Sequence, residues 1–186
     1  MIVKYLVDLG ADINKEDKYN RTPLFDACFS GNVMIVKYLV DHGADINKVS
    51  TEGDTPLFFA ACLDDDEIIV KYLVDLGADI NKVDNEGKTP LFDACYYGNE
   101  MIVKYLVDHG ANINKVNKEG KTPLFNACYN GNEMIVKYLV EHGAEINTKG
   151  ENEKAPLFIA QKRRNKTIEN YLIEHGAVIN MENQGL

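Results

Sequence analysis

Histidine and cysteine are the residue types in this sequence that could supply a base, a nucleophile or zinc ligands. Each histidine precedes a Gly-Ala pair, at His42, His109, His142 and His175. The cysteines lie at, or one residue beyond, the position after a recurrent alanine, at Cys28, Cys62, Cys95 and Cys128. Catalysis needs an acid, a base and a nucleophile that converge on one point. Residues repeated at regular intervals form separated rows instead.

The spacing between these rows decides what chemistry they can do. If each interval corresponds to one layer of packed helices, equivalent atoms lie roughly 10 Å apart. Neighbouring cysteines are then too far apart for a disulfide, and neighbouring side chains cannot share a zinc ion. The sequence also lacks a Gly-rich phosphate loop and a nucleophile elbow. We therefore expect four reduced thiols, no catalytic residues, no metal site, no cofactor and no enzymatic activity.

A run of four carboxylates, Asp64 to Glu67, is the other group of residues suited to chemistry. Adjacent carboxylates can bind a cation or a basic partner. The run lacks the glycine and the ligand spacing of a calcium loop. Acidic runs of this kind are more often solvated loops, and both interpretations stay open at this point.

Composition limits the class of protein further. The chain has 186 residues, of which 45% are hydrophobic and 26% charged, and this is typical of a globular domain. The net charge of −9 is a poor match for a phosphate backbone. No apolar run approaches the roughly 18 residues of a membrane span, and the first residues lack the features of a signal peptide. We expect a cytoplasmic protein, with the nucleus or a host cell as alternatives, and no nucleic-acid, membrane or small-molecule partner.

The elements that position these residues are internal repeats. Pro-Leu-Phe begins at every proline of the chain, Pro23, Pro56, Pro90, Pro123 and Pro156, at intervals of 33 or 34 residues. Val-Lys-Tyr-Leu-Val and Gly-Ala recur with the same period. Residues 83–115 and 116–148 are identical at 26 of 33 positions. Such a period is the signature of a repeat architecture.

Each repeat reads as two short helices. Thr22-Pro23 predicts an N-cap followed by proline at the first helical position, and Gly31 interrupts the helical pattern. A second apolar pattern then runs to Gly43, where glycine suits a left-handed C-terminus. Neither helix is long enough to be stable alone, and both become stable by stacking on neighbouring repeats. We therefore predict an all-α repeat solenoid.

The motif from Glu86 to Phe92, with the Gly-Asn turn and the Gly-Ala-Asn-Ile-Asn ending that follow it, resembles an ankyrin repeat. The resemblance implies stacked helix-turn-helix units joined by β-hairpin or turn fingers. Phenylalanine replaces the histidine of the family motif, so the hydrogen bonds of that histidine must be absent. We divide the single domain 1–186 into a partial repeat with only a second helix (1–15), repeats 16–48, 49–82 (with a one-residue insertion), 83–115 and 116–148, and a capping repeat with a tail (149–186).

The resemblance also implies a function, since ankyrin repeats bind partner proteins through a concave surface of fingers and first helices. We expect a protein-interaction scaffold for an unidentified protein partner. The candidate binding residues are Tyr19, Arg21, Phe29, Lys88, Tyr96, Tyr97, Lys121 and Tyr129. The alternative for the tyrosines is that they fill space between first helices. An alternative for the whole chain is the substrate-recognition arm of a larger enzyme or secreted effector that is truncated at Met1.

The resemblance suggests a modification as well. Ankyrin repeats are targets of asparaginyl hydroxylation at the asparagine that ends each unit, with a leucine eight residues earlier. The matching residues are Asn47, Asn81, Asn114 and Asn147. The alternative is that these side chains only make turn hydrogen bonds.

Charge and the two ends of the chain complete the expectations. Residues 41–100 hold 14 acidic and 4 basic residues, so a basic partner would be attracted to the middle repeats.

Ile2, Val3 and Leu6 should lack a covering helix, and residues 1–15 should be the least stable segment. Polar residues at Gln161 and Glu169 suit an outer face at the other end.

Overall fold

A computed structural model describes residues 2–63, 67–150 and 154–178, and this part of the chain contains eleven helices and no strand. The partial repeat contributes one helix and each later repeat contributes two. The helices are α1 (Ile2–Asp8), α2 (Pro23–Phe29), α3 (Val33–Asp41), α4 (Pro56–Ala61), α5 (Ile68–Asp75), α6 (Pro90–Tyr97), α7 (Glu100–Asp108), α8 (Pro123–Asn130), α9 (Glu133–Glu141), α10 (Pro156–Lys162) and α11 (Lys166–Glu174). This confirms the predicted all-helical repeat solenoid.

The first helix of each repeat begins at its proline, as predicted, but the preceding threonine does not cap it through its side chain. The backbone carbonyl of Thr89 accepts the N–H of Phe92, while its hydroxyl is buried and has no hydrogen-bond partner in the described part of the chain. The hydroxyls of Thr22 and Thr122 are in the same situation. Phenylalanine replaces histidine three residues later and offers these hydroxyls no polar atom. The predicted hydroxyl N-cap is therefore wrong.

The second helices have defined polar starts and glycine ends. The side-chain oxygen of Asn132 caps α9 by accepting the N–H of Ile135 at 3.1 Å. At the other end of the equivalent helix α7, Gly110 has a φ of +93° and donates to Val107, and Ala111 donates to Leu106. This pair of bonds is a Schellman motif, which requires the left-handed conformation that glycine adopts readily. It explains why Gly-Ala recurs in every repeat.

The fingers that join the repeats are turns. In the finger at 84–88, the N–H of Asp84 donates to the carbonyl of Lys88, and the N–H of Gly87 donates to the carbonyl of Asp84. The Asp84 carboxylate accepts the N–H groups of Glu86 and Lys88. Adjacent fingers are connected by one backbone bond, such as that from Lys118 to Glu86 at 2.8 Å. The fingers are therefore stacked on each other without forming a regular strand in the described residues.

One continuous apolar core runs through the stack. It is built from the leucine and alanine of each first helix and the Ile-Val-x-x-Leu pattern of each second helix. Helix α1 contributes no buried residue, as expected from the exposed Ile2 and Leu6. At the opposite end, Gln161 and Lys166 both bond to the carboxylate of Glu169. This polar cluster replaces the buried Cys-Val pair of earlier repeats.

The repeat 49–82 differs from the others at the end of its first helix, just before the turn that holds the extra residue. Ala61 takes the buried position of the other cysteines, and Cys62 follows α4 at the position that Tyr96 holds in the next repeat. Residues 64–66 of the acidic run lie outside the described residues. The fourth member, Glu67, pairs with Lys71 at 2.8 Å.

Candidate functional site

The fingers and the C-terminal halves of the first helices form one surface, which we call the first-helix face. Three rows of side chains cross it, at three, six and seven residues after each proline. The row at three residues holds Asp26, Phe59, Asp93, Asn126 and Ile159. The row at six residues holds Phe29, Cys62, Tyr96, Tyr129 and Lys162. The row at seven residues holds Ser30, Leu63, Tyr97, Asn130 and Arg163.

Three tyrosines form an aromatic cluster on this face. The Tyr96 ring meets the Tyr97 ring edge-on at 5.2 Å between centroids and lies parallel to the Tyr129 ring at 5.8 Å. Their exposed fractions are 45% for Tyr96, 51% for Tyr97 and 46% for Tyr129. The guanidinium carbon of Arg163 lies 4.6 Å above the centre of the Tyr129 ring. The tyrosines thus pack on each other while about half of each ring stays accessible.

A cleft of about 360 Å³ opens next to this cluster, between α6, α8 and two fingers. Its walls include Lys88, Asp93, Tyr96, Tyr97, Lys121 and Asn126. Lys88 pairs with Glu86, and Lys121 pairs with Glu119. A smaller hollow of about 210 Å³ shares Tyr96, Lys121 and Asn126 with the cleft and also includes Tyr129 and Ile159. Five of the eight predicted binding residues therefore line these two adjoining depressions.

Asp93 is the unusual residue of the cleft. Within the described part of the chain, no donor forms a hydrogen bond to its carboxylate, and the neighbouring lysine is paired elsewhere. Burial raises the pKa of Asp93 to about 7, and the charges of Asp54, Asp84 and Glu86 act in the same direction against the opposing effect of Lys88. Burial likewise raises the pKa of Asp54. Asp93 is not among the residues predicted from the sequence, although its position varies between otherwise similar repeats.

The other three predicted binding residues lie at a separate place. Tyr19 is on the first finger, where Arg21 sits over its ring and also pairs with Asp17 at 2.9 Å. Phe29 is exposed and meets Phe59 edge-on at 6.1 Å between ring centroids. Five of the eight residues therefore lie around the cleft, and the other three lie on the first finger and at the end of α2.

The four asparagines proposed for hydroxylation connect adjacent repeats. The amide nitrogen of Asn114 donates to the carbonyl of Gly143, and its amide oxygen accepts the N–H of Glu145, at 2.9 and 2.8 Å. The same pair of bonds is made by Asn47, Asn81 and Asn147. These side chains do more than the turn bonding considered for them, because they bridge two repeats. Hydroxylation at these positions stays a prediction.

The rows of histidine, tyrosine and cysteine show structural roles. In the repeat 83–115, the His109 ring stacks on Tyr105 at 3.9 Å, and its Nδ1 bonds to the backbone carbonyl of the same tyrosine. The Tyr105 hydroxyl donates to Asp75 of the preceding repeat at 2.9 Å. The four cysteines are free thiols. Among the described residues, no three His, Cys, Asp or Glu side chains come close enough to hold a metal ion.

Comparison with known proteins identifies the repeats. A family model described as ankyrin repeats (3 copies) matches the chain in three overlapping segments, residues 1–50, 42–117 and 110–183. A search of curated proteins finds no match to the chain. Among the described residues, the helices are all too short or too polar to cross a bilayer.

Proposed function

The chain belongs to the ankyrin repeat family, whose members generally mediate protein–protein interactions, and on this premise we propose that it binds a partner protein through its first-helix face. The proposed contact centre is the part of that face in repeats 83–115 and 116–148. We propose in addition that the chain has no catalytic activity of its own. The regular separation of its histidines and cysteines, each engaged in packing or capping, supports this.

The observation that carries the proposal is the aromatic cluster beside the cleft. Tyr96, Tyr97 and Tyr129 leave about half of each ring exposed and are held by mutual packing. Rigid tyrosines offer a large contact area at low entropic cost and are enriched among binding hot spots. A depression next to exposed aromatic rings also provides the concave shape into which a partner side chain can insert.

The test begins with identification of the partner from the native source by photo-cross-linking. A benzophenone side chain at position 97 should cross-link a partner, and one at position 101 should not, because Met101 is exposed on the second helix α7. The affinity of the purified partner is then measured for two double variants. Tyr97→Ala with Tyr129→Ala removes rings of the cluster, and Met101→Ala with Met134→Ala removes exposed apolar side chains of α7 and α9.

We expect the tyrosine variant to lose about 2 kcal/mol or more of binding free energy, roughly thirtyfold in Kd. Its melting temperature should stay close to that of the wild type, and the methionine variant should bind normally. A loss of stability without a loss of affinity would identify the tyrosines as packing residues. A loss of affinity in the methionine variant alone would place the binding surface on the second helices.

A further inference from the structure

We propose that the cleft beside Asp93 receives an arginine side chain of the partner protein, with its guanidinium against the Asp93 carboxylate and its plane along the Tyr96 ring. This inference rests on the proposed function, because it names the chemistry of the residue that the partner inserts. Three features of the cleft support it: the tyrosine side chains that line it, the carboxylate of Asp93, and the absence of a hydrogen-bond donor to that carboxylate among the described residues.

The aromatic walls suit a planar cation. The parallel rings of Tyr96 and Tyr129 already carry one guanidinium at their far end, where Arg163 lies 4.6 Å above Tyr129. The other end of the aromatic cluster, at Tyr96 and Tyr97, lines the cleft. No cation lies over either ring among the described residues. Guanidinium groups stack on aromatic faces more readily than ammonium groups, because they are planar and weakly hydrated.

Most of the charges that act on Asp93 are negative. Asp54, Asp84 and Glu86 raise its pKa, and Lys88 lowers it. That lysine is paired with Glu86, and Lys121 across the cleft is paired with Glu119. A carboxylate without a donor in such a setting can accept a bidentate bond from arginine.

The pKa of Asp93 also favours a cationic neighbour. Its pKa of about 7 means that burial and like charges disfavour its ionised form. A guanidinium beside it would favour that form and lower the pKa. The other titratable groups around it are Tyr97 and Cys95 on α6 and Cys62 after α4. They add to the finger residues Asp54, Asp84, Glu86 and Lys88. The tyrosine and the two cysteines are neutral at physiological pH, so their charges do not change in the range over which Asp93 titrates.

The probes for the test are two blocked tripeptides, Ac-Gly-Arg-Gly-NH2 and the same peptide with citrulline, which is a neutral isostere of arginine. They are titrated into the isotopically labelled full chain while NMR follows the Asp93 carboxyl carbon and the Tyr96 and Tyr97 rings. We expect the arginine peptide to shift these signals saturably and to lower the Asp93 pKa. The citrulline peptide should bind at least about tenfold more weakly.

Two variants show whether Asp93 is responsible. Asp93→Asn should weaken the arginine peptide about tenfold near pH 8. The fold accommodates this change, because Asn126 is the equivalent residue of the next repeat. Asp26→Asn is the matched control, since Asp26 is the equivalent exposed residue of the repeat 16–48. It should leave affinity unchanged. Lowering the pH towards about 5 should weaken wild-type binding and hardly affect Asp93→Asn.

Equal affinities for the two peptides would overturn the inference, and so would equal losses in the two aspartate variants. The proposed function is tested separately by the tyrosine variant and the native partner. If that partner needs Tyr97 and Tyr129 while the arginine peptide fails to bind, the scaffold function stands and only the arginine inference is lost. If the partner ignores the tyrosines, the proposed function fails whatever the peptides show.

Discussion

The hydroxyl of Tyr138 donates a 2.6 Å hydrogen bond to the carboxylate of Asp108 in the preceding repeat. Burial and this carboxylate together raise the pKa of Tyr138 to about 12. The same bond joins Tyr38 to Asp8, Tyr72 to Asp41 and Tyr105 to Asp75. The last repeat differs, since Glu141 replaces the aspartate and the buried hydroxyl of Tyr171 has no hydrogen-bond partner among the described residues. The capping repeat therefore lacks a hydrogen bond to the preceding repeat that the other second helices make.

This difference predicts a stabilising substitution. Glu141→Asp should restore the carboxylate position that the other repeats use, and should give Tyr171 its missing acceptor. A hydrogen bond to a charged group contributes about 1.5 kcal/mol, so we expect the free energy of unfolding to rise by about 1 kcal/mol in urea titrations. Asp108→Glu, the reverse change in an intact pair, is the control and should destabilise the protein. An unchanged stability in both variants would contradict this account.

The buried threonine hydroxyls that have no hydrogen-bond partner among the described residues predict a second stabilising substitution. If Thr89 were an N-cap, replacing it would cost about 1 kcal/mol. Because its buried hydroxyl has no partner, Thr89→Val should instead leave stability unchanged or raise it by about 1 kcal/mol. Asn132→Ala is the comparison, since Asn132 does cap a helix and should lose about 1 kcal/mol. Thermal unfolding of both variants decides between a cap and an unsatisfied hydroxyl.

The asparagine bridges between repeats predict a clear loss. Asn114→Ala removes two hydrogen bonds across the boundary between repeats 83–115 and 116–148, and we expect it to cost about 2 kcal/mol of unfolding free energy. Asn112→Ala removes only a local bond to the N–H of Asn114 and should cost well below 1 kcal/mol. Equal costs in chemical denaturation would show that the bridge contributes nothing.

The sequence was sufficient to predict the repeats, because the period of 33 residues, the Thr-Pro starts and the Gly-Ala ends all specify the same helix pair. It also predicted that one surface holds Lys88, Tyr96, Tyr97, Lys121 and Tyr129. These residues occupy equivalent positions in adjacent, nearly identical units, so their proximity follows from stacking alone.

The parts that escaped prediction depend on contacts between repeats. That the Asn114 side chain bridges to Gly143, or that Tyr105 donates to Asp75, requires the distance between layers as well as the pattern within one. Asp93 was missed for a related reason. A single aspartate in an acidic sequence looks solvated, and only the packing of α6 between two fingers and α8 buries it.

Thiol reactivity should follow burial. Burial raises the pKa of Cys28 and Cys128 to about 12 and that of Cys95 well above its ordinary value. Cys62 is partly exposed after α4, although its pKa is also raised to about 12. Native protein should therefore react slowly with a thiol reagent at Cys62 and not at the other three, while denatured, unreduced protein should show four thiols. A count of two or zero after denaturation would disprove the reduced state, and labelling of Cys95 before Cys62 would contradict the burial order.

Asp93 should make the stability of the free protein depend on pH in a definite direction. Its pKa is near 4 when unfolded and about 7 in the fold, so the folded state favours the protonated form. The contribution of Asp93 to stability should therefore be most favourable below the unfolded pKa and should become less favourable as the pH rises from about 4 to 7. Because the carboxyl is only partly shielded from water, we expect a loss on the order of 2 kcal/mol.

The substitution Asp93→Asn isolates this contribution from the other carboxylates. At about pH 8 the variant should be more stable than the wild type by on the order of 2 kcal/mol, and near pH 4 the two should be equal. Asp26→Asn, at the exposed equivalent position, should show no such difference at either pH. A residue that stabilises the fold would behave in the opposite way, because its removal would lower stability at the higher pH. The combination of a gain in stability with a loss of arginine binding would identify Asp93 as a residue retained for recognition at the expense of the fold.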